Sequence, residues 1–379
     1  MQPSTLVLAA LLAAAAEPPA AASPGGGQVD DGLVGAVAIT REQEEAVQRG
    51  LAWLADEQNA NGSWTAKIGF KLHNGYRYTR DDRGHVGVTA LAGMAFLAGG
   101  YLPGRGEYGD TVDRALDFVL DSVQSDGFIT NAGTRMYSHA FATLFLAEIY
   151  GMTHREDVEQ KLQRAVDFIV SSQNDEGGWR YVPLARESDM SIVVCQVLAL
   201  RAARNIGIRV PKATIDRAAR YVVGSAVTRE QASRSFHRSY RGENILGTFH
   251  YQPDGHSRTS FPLTAAGVTA LNGLGIYSDA LIDKGVQYLQ GNLDAFNSSW
   301  GRGGHYFYWY GHYYGVQAMY VQGGRHWESY FTRVRDHLLD MQQPDGAWPN
   351  GTGPGQVFGT ATAVLILEIP YCFLPIFQR

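Results

Sequence analysis

Apolar positions recur at i, i+3, i+4 and i+7 in separated stretches of the chain: Val47, Gly50, Leu51 and Leu54, then Val112, Ala115, Leu116 and Val119, then Leu162, Ala165, Val166 and Ile169. That spacing draws one apolar stripe along an otherwise polar α-helix. Ile215, Ala218, Ala219 and Val222 repeat it, as do Ile282, Gly285, Val286 and Leu289. A sixth copy keeps Phe331, Val334 and Leu338 but puts Arg335 in the third slot. Capping boxes at Thr40 to Gln43 and Thr153 to Glu156, and Pro211 pre-set for a first turn, mark starts for three of these helices.

Between them lie six segments that are apolar on nearly every side: about 85–98, 136–150, 189–206, 261–274, 310–322 and 356–369. A helix with no polar face belongs inside. Half-polar and fully apolar helices alternating in six pairs predict an all-α fold, an α6/α6 toroid of six helical hairpins with an inner and an outer ring, over 40–379. Four outer segments are followed by a glutamine, a short polar run, a glycine and an aromatic: Gln58 to Gly62 and Trp64, Gln124 to Gly127 and Phe128, Gln173 to Gly177 and Trp179, Gln343 to Gly346 and Trp348. Glycine permits the sharp reversal and the aromatic plugs the seam between hairpins, so these motifs read first as structure. The stretch 225–260 breaks the rhythm, with Arg229, Arg234, Arg238 and Arg241 among Ser, Gln and His. It reads as a long irregular excursion over one mouth of the ring, with short paired strands around Gly247 to Tyr251.

Composition changes the picture only at the margins. A chain that is 45% apolar and 18% charged fills one large core, and a net charge of -5 without a basic stripe leaves nucleic acid without its electrostatic footprint. Cys195 and Cys372 are the only cysteines, so no disulfide framework is expected. No segment reaches the roughly 18 uninterrupted apolar residues of a membrane span. The first residues differ from the rest, with an apolar run from Leu6 to Ala16, two prolines and the Gly25 to Gly27 triplet. They read as an export signal over 1–24 and a linker over 25–39, which places the protein in the periplasm or outside the cell.

The repeats, together with Gly178-Trp179-Arg180-Tyr181, the run Gln196 to Ala203, Gln317-Ala318-Met319 before Gly323 and Gly324, and the end Leu367-Glu368 to Leu374-Pro375-Ile376, carry a resemblance. From about Thr40 onward the chain resembles squalene cyclases and protein prenyltransferase β subunits, and is most similar to bacterial single-domain prenyltransferase/squalene oxidase repeat proteins. The resemblance implies a central cavity suited to an isoprenoid. Squalene cyclases open an inner helix with Asp-x-Asp-Asp-Thr, whose central aspartate protonates an alkene. The matching stretch here is Glu187-Ser188-Asp189-Met190-Ser191, which makes Asp189 the candidate acid and Glu187 its candidate partner. Met190 stands where the last aspartate would help set that acidity. Ser188 or Asp189 serves equally as a helix cap.

Protein prenyltransferases place a zinc histidine at the start of an inner helix, as His312 stands within Trp309 to Tyr314. His139, Cys195 and His312 each lie 12 positions before a glycine that ends their helix, a common height for three good zinc ligands. The family's Asp-x-Cys pair is missing, and no Lys/Arg cluster for a diphosphate stands out. No metal or cofactor is therefore expected. Trp179, Tyr181, Tyr310 and Tyr313, with His139 and His312, are the candidate faces for a small apolar ligand. The leading expectation is a toroid that binds such a ligand, a vestigial enzyme whose catalysis is uncertain or lost. An interaction scaffold, an active cyclase or prenyl transferase using Asp189, and a carbohydrate-active ring are the alternatives. Nothing in the sequence speaks to the oligomeric state.

Overall fold

The computed structural model describes residues 37–72, 75–153, 155–234, 245–253, 257–301 and 303–377. The expected signal 1–24, the linker as far as Ala36, and Arg238 and Arg241 lie outside them. The outer helices are α1 (Arg41–Asp56), α3 (Gly109–Asp121), α5 (Glu156–Ser171), α7 (Lys212–Gly224), α10 (Ala280–Trp300) and α12 (Gly324–Met341). The inner ones are α2 (Val86–Ala98), α4 (Met136–Tyr150), α6 (Met190–Asn205), α9 (Phe261–Gly273), α11 (Tyr306–Gln322) and α13 (Gln356–Glu368). Each inner helix packs on the next, and α13 returns to pack on α2, so the inner ring closes. Closure is also bonded directly, by Gln43 Nε2 donating to Leu367 O at 2.7 Å and Gln342 Nε2 to Ala46 O at 2.8 Å.

The stripes behave as their spacing requires. In α1 the buried set is Gln43, Ala46, Val47, Gly50, Leu51 and Leu54, whereas every residue of α2 is buried. Each large apolar side chain so buried contributes about 1.5–3 kcal/mol. Thr40 caps α1 by accepting from Gln43 N, and Pro211 precedes α7. The box at Thr153 does not form, because α5 begins at Glu156 with Arg155 as its cap residue. Helix α11 starts at Tyr306, four residues earlier than the apolar run suggests.

The repeated motif is a seam device. Trp64, Trp179 and Trp348 are buried, and each donates its indole N–H to the carbonyl ten residues earlier, Leu54, Ile169 and Leu338, at 2.7–2.8 Å. Gly177 has φ +89, and a Cβ there would lie 2.5 Å from the carbonyl oxygen of Arg217 on the next outer helix. The side-chain amide of Gln173 bonds Gly177 O and Thr214 O, tying the turn to that neighbour, and Gln58 does the same with Gly62 O and Thr111 O. In the last repeat the equivalent residue is Gln342, not Gln343, and Gln124 in the second repeat is likewise offset. The amide must sit four residues before the glycine to reach both carbonyls.

Two excursions stand on the face where the inner helices begin. An antiparallel hairpin, β1 (Ile68–Leu72) and β2 (Gly75–Arg80), pairs Phe70 with Arg77 and precedes α2; the helical pattern gave no sign of it. The stretch 225–260 holds the short helix α8 (Arg229–Arg234) and the bridges Ala226 to Phe249 and His250 to Thr259, in line with the expected local pairing. No helix among the described residues is long and apolar enough to cross a membrane.

Candidate functional site

At the end of the ring where the inner helices begin, a cavity of about 820 Å³ opens. Its lower wall comes from the first two to three turns of α2, α4, α6, α9, α11 and α13, for instance Val88, Phe141, Ser191, Leu263, Tyr313 and Phe358. Its rim comes from the connections that lead into those helices, including Phe70 and Tyr76 of the hairpin, Tyr181 and Tyr251. The rim is bonded to the helix starts: Met136 N–H donates to Tyr181 O at 3.1 Å, and Met190 N–H to Tyr251 O at 2.9 Å. Eight tyrosines, two tryptophans and four phenylalanines line the hollow, and none of its described lining residues is Asp or Glu.

The expected residues divide on this geometry. Tyr181, Tyr310 and Tyr313 line the cavity. Trp179, His139 and His312 do not. Trp179 is a seam plug. His139 accepts from Ile129 N at 3.0 Å and packs between Phe128 and Phe168, in the gap between inner and outer rings. His312 bonds Asn297 Oδ1 at 2.8 Å among Phe296, Tyr308 and Tyr330. Burial holds both imidazoles down at about 3, so both are neutral. Cys195 instead pairs with the Tyr314 hydroxyl at 3.0 Å. The three side chains of equal height thus serve three different partners, and no cluster of three His, Cys, Asp or Glu that could hold a metal occurs among the described residues.

Asp189 is buried at the start of α6, in extended conformation, and its Oδ1 accepts from Ile192 N at 3.2 Å and from the Ser191 hydroxyl. It is a helix cap. Its other oxygen, Oδ2, is buried with no hydrogen-bond partner. Desolvation raises the carboxyl to about 6 against the opposing pull of those two bonds. Asp189 itself does not line the cavity; Ser191 does, and receives the Tyr137 hydroxyl at 2.6 Å. Glu187 points outward to the exposed surface, paired with Arg180. The two carboxylates of the degraded motif are therefore in different media, and Glu187 gives Asp189 no support.

Sequence reading missed the cations. Arg135, Arg180 and Arg258 come from three separate connections to the same rim. Arg135 lies over the Phe70 ring at 4.7 Å, and Arg258 over Tyr251 at 5.2 Å and Phe307 at 5.8 Å. Only Arg180 is paired with a carboxylate among the described residues. Spacings along the chain could not reveal the cluster, because the packing of α4, α6 and α9 side by side assembles it.

A family model of the prenyltransferase alpha-alpha toroid domain matches residues 33–242. No curated protein matches the chain. Among solved structures, an inactive variant of the GH76A alpha-1,6-mannanase of Salegentibacter, in complex with alpha-1,6-mannotriose, aligns with a TM-score of 0.60 at 9% identity over 86% of this chain and 98% of the mannanase. A variant of the type II terpene cyclase MstE from Scytonema, in complex with geranylgeranyl dihydroxybenzoate, aligns with a TM-score of 0.54 at 11% identity over 88% and 98%. A protein from Actinoplanes gives 0.52 at 14% over 87% and 98%. At such identities the likeness concerns the fold. With the family match spanning more than half its length and the inner ring closed on itself, the chain belongs to the prenyltransferase alpha-alpha toroid family.

Proposed function

We propose that this toroid binds an apolar ligand of isoprenoid character in its central cavity and does not act as an alkene-protonating cyclase. The observation that carries the reading is the hollow itself: about 820 Å³, walled by aromatic rings and, among the described residues, free of lining carboxylates. That volume falls within the roughly 300–1,000 Å³ typical of ligand pockets. An interaction scaffold has no use for such a space and would gain stability by filling it. A carbohydrate-active reading needs two carboxylates flanking a glycosidic bond, and Asp189, behind Ser191, is the nearest candidate for even one. An acid-catalysed cyclase needs its acid in the cavity wall. Asp189 caps α6 instead, and Met190 supplies no carboxyl to assist it.

The cyclase MstE, whose geranylgeranyl substrate is apolar over most of its length, supports the choice of ligand class by its fold alone. The test is organic extraction of the purified protein followed by mass spectrometry, with binding of geranylgeraniol followed through Trp300 and Trp309, which line the cavity. A co-purifying or tightly bound isoprenoid, lost on Tyr310→Ala, is expected. Recovery of no apolar molecule, together with no fluorescence response to geranylgeraniol, would sink the reading.

A further inference from the structure

We infer that the ligand is an amphiphile with a single oxyanion head, a carboxylate or a phosphate monoester, clamped by Arg135 and Arg258 while its tail fills the cavity. This rests on the cavity reading above and adds the class of its occupant. Two guanidinium groups face the hollow with no carboxylate to neutralise them among the described residues, whereas Arg180 on the same rim is paired with the outward-pointing Glu187. Both lie against aromatic faces, Arg135 on Phe70 and Arg258 on Tyr251, a contact that uses no N–H donor and leaves those groups available to an oxyanion. Both arginines line one cavity, and in its wall the Tyr76 and Tyr306 rings lie 6.0 Å apart. Burial raises both phenols, and the charge of Arg135 on Tyr76 and of Arg258 on Tyr306 works against that rise. The Tyr306 hydroxyl is buried without a hydrogen-bond partner, a donor awaiting an acceptor.

The starts of α4 and α9 stand beside these residues, and the positive ends of their dipoles add to the same field. A head brought as its magnesium salt is disfavoured, because hard cations take oxygen ligands and no described residue of the cavity wall is Asp or Glu. Two positive charges without a carboxylate partner among the described residues match one carboxylate or one phosphate.

The experiment compares dodecanoate, dodecyl phosphate and dodecanol, which share one tail, as quenchers of tryptophan fluorescence in the full chain. Geranyl diphosphate with and without magnesium completes the set. One or both anionic probes should bind at least about tenfold more tightly than dodecanol, and Arg135→Gln or Arg258→Gln should remove about tenfold of that advantage each. Unchanged dodecanol binding by the variants shows that they remain folded with an intact cavity. The relative strength of carboxylate and phosphate identifies the head. Equal binding of all three probes, indifferent to both substitutions, overturns the oxyanion clamp and leaves the apolar cavity standing, as does tighter binding of geranyl diphosphate only in the presence of magnesium. Failure of every probe, dodecanol included, overturns the cavity reading and this inference with it.

Discussion

Replacing Asp189 by Asn should make the protein more stable at neutral pH, because the substitution removes a buried charge. Burial raises the folded carboxyl from 3.8 to about 6. Between those values the folded state holds a proton that the unfolded state has released, so stability falls as pH rises through the interval. Below about 3.8 both states are protonated and the contribution is fully present; above about 6 it is lost. Just over two pKa units at 1.36 kcal/mol each give a penalty of about 3 kcal/mol at pH 7. Asparagine keeps the cap, since its Oδ1 accepts from Ile192 N as the carboxylate does, and it carries no charge into the buried site. Urea unfolding of both proteins between pH 4 and pH 8 measures the difference. Asp189→Asn should be near neutral at pH 4 and gain as much as about 3 kcal/mol at pH 7. A loss of stability at pH 7, or a gain that does not change with pH, would refute the desolvation argument. Loss of a measurable cyclisation activity in the same variant would refute the proposed function.

Other outcomes follow from the seams and the far end of the ring. Trp179→Ala should lose about 3–5 kcal/mol, because it empties a seam and removes the buried indole bond to Ile169 O; differential scanning calorimetry reads this as a large fall in Tm. Gly177→Ala should cost about 2–5 kcal/mol, since φ is +89 and the new Cβ would lie 2.5 Å from Arg217 O, and denaturant midpoints check it. Glu148, buried near the end of α4 where Ile376 N–H donates to its Oε2 at 3.2 Å, is raised by burial to about 8. Its folded form stays protonated while the unfolded form ionises, so stability should decline from about pH 4.5 to pH 8. Glu148→Gln should flatten that part of the Tm profile, and an unchanged profile counts against burial of the carboxyl in solution.

Much of the fold was legible because its cause is local. A 3.6-residue apolar period with one stripe, as at Val47 to Leu54, can be satisfied only by a helix lying against a core, and a segment such as 86–98 with no polar face can be satisfied only inside. The glycine turns and their aromatics were visible as repeats, although the glutamine register was misread in two of them because adjacent glutamines and valines blur it. The hairpin β1–β2 escaped notice because five or six residues of mixed polarity between two strong helices have no period of their own.

The site was far less legible. In an inner helix that is apolar all round, periodicity does not say which side faces the hollow and which faces the outer ring. His312 and Tyr313 are neighbours in sequence, yet a turn of about 100° per residue sends His312 to Asn297 and leaves Tyr313 in the cavity wall. The sequence by itself therefore determined that twelve helices would pair, alternate and pack in two layers. Only the tertiary structure decided what the middle of the ring contains. Arg135, Arg180 and Arg258 lie on three different connections, and their meeting at one rim depends on α4, α6 and α9 packing side by side in the inner ring, long-range contacts that no local pattern encodes.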